Sequence, residues 1–206
     1  MMKKILSLDR IVGLAKYPFS KMAYRSYHRK KEKTVKDYAK IYGCNVFVET
    51  GTYWGDMDKQ VYKTFEYLAS VEIQKFIYEK NLITFKKYSK LHLYCGDSTH
   101  QIPKMLSDIK AHFGTKKYKV VFWLDGHYSA GITGRGEKDT PILEELKGIK
   151  DANIGKCVIL IDDARCFVHE GEYIEYPTLD YLKGYVSEIF NVDSFEVEND
   201  IIRIIV

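Results

Sequence analysis

The sequence has no apolar run of the roughly 20 residues that a membrane-spanning helix needs. Its runs at 120–124, 157–161 and 201–206 fall far short of that length. Asp9 and Arg10 interrupt any apolar core that a secretory signal would require. The four cysteines, Cys44, Cys95, Cys157 and Cys166, show neither a C-x-x-C pair nor zinc-ligand spacing. A disulfide framework and a zinc ribbon are thereby excluded, and the expectation is buried free thiols in a reducing, cytoplasmic setting. There is no internal repeat, and the only glycine-rich stretch is 126–136.

What remains is a chain of 206 residues, 46% hydrophobic and with 17 tyrosines, enough for one substantial core. Its charge is uneven. Residues 1–40 carry 12 Lys/Arg against 3 Asp/Glu, and the rest carries 20 against 25. The reading is a basic helical arm over 1–41 and a separate domain over 42–206. The arm is expected to touch an anionic surface or to present a solvated face.

The arm divides into a helix ended by Pro18 and a second helix from about Lys21 to Ile41. After Gly43, short apolar runs alternate with amphipathic stretches. Strands are expected at 45–49, 67–72, 91–94, 120–125 and 158–162, and helices at 56–65, 75–88, 102–113, 141–150 and 179–189. Asn199-Asp200 between 194–198 and 201–206 has the chemistry of a tight hairpin. The fold class is therefore α/β: a Rossmann-like, doubly wound, mostly parallel sheet that ends in an antiparallel hairpin, with helices on both faces.

In such sheets ligands bind beyond the carboxyl ends of the strands. The first strand runs into Glu49-Thr50-Gly51-Thr52-Tyr53-Trp54-Gly55, where Gly51 permits a tight turn and Gly55 lets the next helix pack closely. About twenty residues on, the second strand ends at Glu72, a carboxylate suited to two ribose hydroxyls. The third ends in Gly96-Asp97-Ser98, the fourth in Asp125-Gly126-His127 and the fifth in Asp162-Asp163. Acids gathered on one edge repel unless a ligand or cation lies among them.

With these residues in place the chain resembles class I S-adenosylmethionine-dependent methyltransferases over about 45–206. It is closest to the catechol-type and sugar-modifying (macrocin-type) O-methyltransferases, whose first loop also reads Glu-x-Gly-x-Tyr-x-Gly. The resemblance implies that Glu49, Gly51, Thr52, Tyr53 and Gly55 line the methionine end of the cofactor. Glu72 would hold the ribose, and Gly96, Asp97 and Ser98 would lie by the adenine. Asp125, Asp162 and Asp163 match acids that hold a divalent cation, Mg2+, in the metal-dependent branch. Two positions depart from the family: Met57 stands where Ser or Thr is frequent, and His127 where the base is commonly Lys or Asp.

His127 is chemically suited to take a proton near neutral pH, and a structural histidine is its plainer alternative. The other five histidines carry no assigned role. Residues 128–139 read as a loop able to close over the site, with Arg135 and Lys138 placed to meet an anionic acceptor. The expected function is methyl transfer to an oxygen of a sugar or other polar small molecule. Asp125 and His127 would be the catalytic pair, and the assembly, a homodimer among the alternatives, stays open. Two other classes compete: a nicotinamide-dependent oxidoreductase, which lacks its Gly-x-Gly-x-x-Gly here, and a non-catalytic binding module docked through the arm.

Overall fold

The computed structural model describes residues 20–126 and 140–206, with side chains from His28 onward. Seven strands form one sheet in the order β3-β2-β1-β4-β5-β7-β6. They are β1 (Val46–Thr50), β2 (Tyr67–Glu72), β3 (Leu91–Cys95), β4 (Val120–Leu124), β5 (Val158–Ile161), β6 (Ser194–Glu198) and β7 (Ile201–Ile205). The first five are parallel, and β7 pairs antiparallel with both β5 and β6. Asn199 and Asp200 both take positive φ, 54° and 64°, as the hairpin turn requires.

The helices are α1 (Ser20–Tyr42), α2 (Asp56–Val61), α3 (Lys75–Thr84), α4 (Ser98–Phe113), α5 (Ile142–Asp151) and α6 (Leu179–Ile189). Strand alternation sends two sets of side chains to two cores. Val46, Val48, Phe122, Leu124, Ile159 and Ile161 pack with Ile102, Leu146 and Leu182 of α4, α5 and α6. Phe47, Val121, Trp123, Val158 and Leu160 pack with Val35 and Ala39 of α1 and Val61 of α2. None of the described helices is long and apolar enough to cross a membrane.

Several helix boundaries differ from the sequence reading. α4 begins at Ser98 rather than Ile102, because Asp97 caps it by accepting from the Thr99 N–H at 2.9 Å. α5 begins at Ile142 rather than 141, and no side chain caps it. Thr178 caps α6, accepting from the Tyr181 N–H at 3.2 Å. A larger difference concerns residues 28–41, which the sequence reading assigns to the arm and which lie against the sheet. α1 covers one face of the sheet with buried Thr34, Val35 and Ala39. At the carboxyl edge Lys31 reaches Asp162, and at the amino edge the Lys119 ammonium donates to the Tyr42 carbonyl at 3.0 Å. Eleven helical residues span roughly 16 Å, the length of a five-residue strand. The helix expected to end near Pro18 lies outside the described residues.

Candidate functional site

The parallel register brings the strand ends to one level. Thr50 lies opposite Val71 and Leu124, Glu72 opposite Cys95, and Leu124 opposite Ile161. The strand order reverses between β1 and β4, so the loop after β1 borders the crevice where open α/β sheets bind ligands.

Gly51 has φ +83°, and a Cβ there would lie 2.3 Å from the Asp125 carbonyl oxygen. The residue therefore sets the contact between the ends of β1 and β4. Gly55 has φ +66°, and the space a Cβ would need is filled by the Phe85 ring, 2.2 Å away. The close packing expected at Gly55 is thus against the end of α3. Between them Tyr53 also has positive φ, 46°. It is held on both sides: its N–H donates to Glu72 at 2.8 Å, and its carbonyl accepts from the Asn81 amide at 2.6 Å.

Under this loop lies a buried polar chain. Thr52 donates to the Ser70 hydroxyl at 2.7 Å, and Ser70 donates to the Glu49 carboxylate at 2.6 Å. Asp58, on α2, is fully buried beside them, and neither of its oxygens finds a hydrogen-bond partner among the described residues. Burial pushes its carboxyl up to about 6, opposed by its Glu49 and Ser70 neighbours. Burial also raises Glu49 well above the ordinary range, with the Asp58 charge adding to it and the Ser70 bond opposing. Two carboxyls buried side by side cannot both ionise at little cost unless a positive charge lies near.

Glu72 is buried at the end of β2, and each of its oxygens accepts a backbone N–H at 2.8 Å, from Tyr53 and from Gln74. Burial raises its pKa and these bonds oppose the rise. Each carboxylate oxygen has a second lone pair for a ligand hydroxyl. Next to it, Gly96 takes φ +128°, Ser98 is buried, and one Asp97 oxygen serves both the N–H and the hydroxyl of Thr99.

The acids of β4 and β5 meet a cation of the chain itself. Lys31 of α1 is buried, ion-paired with Asp162 and 3.5 Å from Asp163. Burial raises Asp162 far above its ordinary value, the Asp125 charge adds to this, and Lys31 opposes it. Asp163 has φ +55° and also pairs with Arg165 at 2.9 Å. Among the described residues, no three side chains of metal-ligating type gather as a cage. With an ammonium already between two of the three expected ligands, the arrangement does not fit a resident divalent cation. A small cavity of about 10 Å3, room for about one water, lies beside these strand ends, lined by Gly126, Ile142, Glu145, Asp162, Phe167 and Tyr176.

His127 lies outside the described residues, as does the 128–139 loop with Arg135 and Lys138. Lys31, Asp58 and Asn81 join the site without having been singled out in the sequence. Lys31 sits in a run of basic residues, Asp58 at a position that reads as a helix surface, and Asn81 in a helix of weak amphipathicity. The four cysteines are free. Burial pushes the thiols of Cys44 and Cys157 up to about 11 and 12, so they are not nucleophiles near neutral pH.

No family model matches the chain, and no curated protein matches it in sequence. Solved structures do match it in fold. The O-methyltransferase TomG from Streptomyces achromogenes, in complex with SAM, is 11% identical. It aligns over 86% of this chain and 79% of its own with a TM-score of 0.59. An O-methyltransferase from Bacillus cereus, in complex with SAH, is 10% identical over 85% and 80%, with a TM-score of 0.58. The N-methyltransferase NodS from Bradyrhizobium japonicum, also with SAH, is 11% identical over 87% of both chains, with a TM-score of 0.55. At these identities the likeness is one of architecture: the chain has the Rossmann-like fold of the class I methyltransferases.

Proposed function

We propose that the protein is an S-adenosylmethionine-dependent methyltransferase that transfers the methyl group to an oxygen of a polar small molecule. The observation that carries this reading is the coupling of Glu72 to the first loop. One carboxylate at the end of β2 fixes the Tyr53 backbone, and each of its oxygens keeps a second lone pair for a ligand. That is the geometry two vicinal ribose hydroxyls need. The buried Glu49 and Asp58 suit the α-ammonium of the methionine end, which would supply the positive charge they lack. Gly51, Thr52, Tyr53 and Gly55 form the wall beside it, and Gly96, Asp97 and Ser98 the adenine side, with Asp125 at the floor.

The cofactor, when bound, supplies an activated methyl group, so the protein's contribution is positioning and proton transfer. The chain's own part is to hold the acceptor beyond the carboxyl ends of β4 and β5, exclude water, and accept the hydroxyl proton. His127, two residues past Asp125 at the end of β4, is the proposed base. A sugar hydroxyl is the acceptor class that the loop Glu49–Gly55 favours by its likeness to the sugar-modifying enzymes. No step is assigned to magnesium, because Lys31 already pairs with Asp162 and Asp163. The test is calorimetric titration with S-adenosylmethionine and, separately, NAD. Binding of the first and not the second supports the reading, and the reverse points to an oxidoreductase.

A further inference from the structure

We propose that Lys31 is the resident cation of this site: its ammonium takes the place of a divalent metal on Asp162 and Asp163 and makes the acceptor side metal-independent. The inference rests on the methyltransferase reading for what the site does. Its claim about cation occupancy rests on the structure alone.

Three observations support it. Asp162 is 2% exposed, directly after β5, and shares this sheet edge with Asp125, directly after the neighbouring β4. A carboxylate so placed requires a positive partner. Second, the partner is supplied from α1, 131 residues earlier in the chain, by a lysine that is itself only 8% exposed. A buried lysine is rare unless paired, and this one has carboxylates on two sides. Third, Lys31 does not arrive on a mobile tether. Its helix is fixed by Thr34, Val35 and Ala39 in the core and by the Arg203 guanidinium 5.6 Å over the Tyr38 ring. The charge is thus built in as firmly as a strand residue.

The chemical consequence concerns the acceptor. A divalent cation selects substrates that offer two oxygens to its coordination shell. An ammonium is a point charge with hydrogen-bond donors and imposes no such requirement. The acceptor of this protein is therefore not selected by chelation, and a single hydroxyl suffices.

The experiment is an Mn2+ titration of the full chain followed by electron paramagnetic resonance, on wild type, Lys31→Ala and Lys31→Met, with S-adenosylmethionine binding measured on the same samples. Wild type is expected to take up no Mn2+ at Asp162. Removing the ammonium should raise Mn2+ affinity by about tenfold or more, given the repulsion between two cations a few ångström apart. Adding Asp162→Asn to either variant should abolish the gain. Variants that fold only when Mn2+ or Mg2+ is present would support the proposal equally. Wild-type protein that binds one Mn2+ and loses it in Asp162→Asn overturns it, whatever the Lys31 variants do. Absence of S-adenosylmethionine binding with the Mn2+ results as expected would refute the methyltransferase reading and leave the cation assignment standing.

Discussion

Replacing Glu72 with Gln separates two tasks that this residue performs at once. Its two oxygens accept the Tyr53 and Gln74 N–H groups, each at 2.8 Å, from a buried position. A glutamine amide keeps one of these bonds and turns its NH2 group toward the other N–H. One buried backbone donor is then unpaired, at about 1–3 kcal/mol. For a chain of this size, 1 kcal/mol moves Tm by roughly 2–4 °C, so a loss of about 2–12 °C is expected by scanning calorimetry. The same exchange removes one charged acceptor from the ribose. A hydrogen bond to a charged group contributes about 1.5–3 kcal/mol, so S-adenosylmethionine affinity should fall by roughly 10–100-fold. A lowered Tm with unchanged affinity would mean that Glu72 only braces the loop and the ribose lies elsewhere. An unchanged Tm would refute the hydrogen-bond account itself.

Other consequences are as direct. Asp58, raised to about 6, and Glu49, also raised by burial, bind protons in the folded protein that they release when unfolded. The Asp58 contribution to stability is fully present below its ordinary value of 3.8 and is lost as pH rises through about 6, which urea titrations of the unliganded protein should record. A bound ammonium favours the ionised pair, so S-adenosylmethionine binding should release protons near pH 6, and calorimetry in buffers of different ionisation enthalpy measures this. Asp58→Asn should reduce the release; if it does not, the pair is not the cation receptor. A chain that begins at Tyr42 loses Val35 and Ala39 from the core, each apolar side chain of valine size being worth about 1.5–3 kcal/mol. It should lack a cooperative thermal transition, and a folded fragment would contradict the packing of α1. His127→Ala should slow single-turnover methyl transfer by about 10²–10⁴-fold with cofactor affinity intact; a rate within a few-fold of wild type would remove the proposed base.

The fold was legible because each strand end carries its own punctuation. Glu49 to Gly55, Gly96-Asp97 and Asn199-Asp200 are turns whose residue types fix backbone geometry locally, and all three lie where the sequence places them. What escaped were contacts between residues distant in the chain. Lys31 follows Arg29 and Lys30 and looks like one more solvated charge; only Asp162, 131 positions later, gives it a task. The packing of residues 28–41 on the sheet escaped for the same reason, since the many basic residues of α1 hide the narrow apolar stripe of Val35 and Ala39. Asp58 reads as a surface residue of a helix start, and nothing near it in sequence reveals that Glu49 and Ser70 enclose it. The spacing of Glu72 suggests a ribose acceptor, whereas its grip on the Tyr53 backbone is visible only in three dimensions.

The central claim is that the crevice beyond β1 and β2 is built for S-adenosylmethionine, and isothermal titration of the wild-type chain tests it most directly. One site per chain is expected, with tight binding of the demethylated product as well, proton release near pH 6, and marked weakening in Glu72→Gln. Absence of binding by either molecule, or saturable binding of NAD in their place, would contradict it.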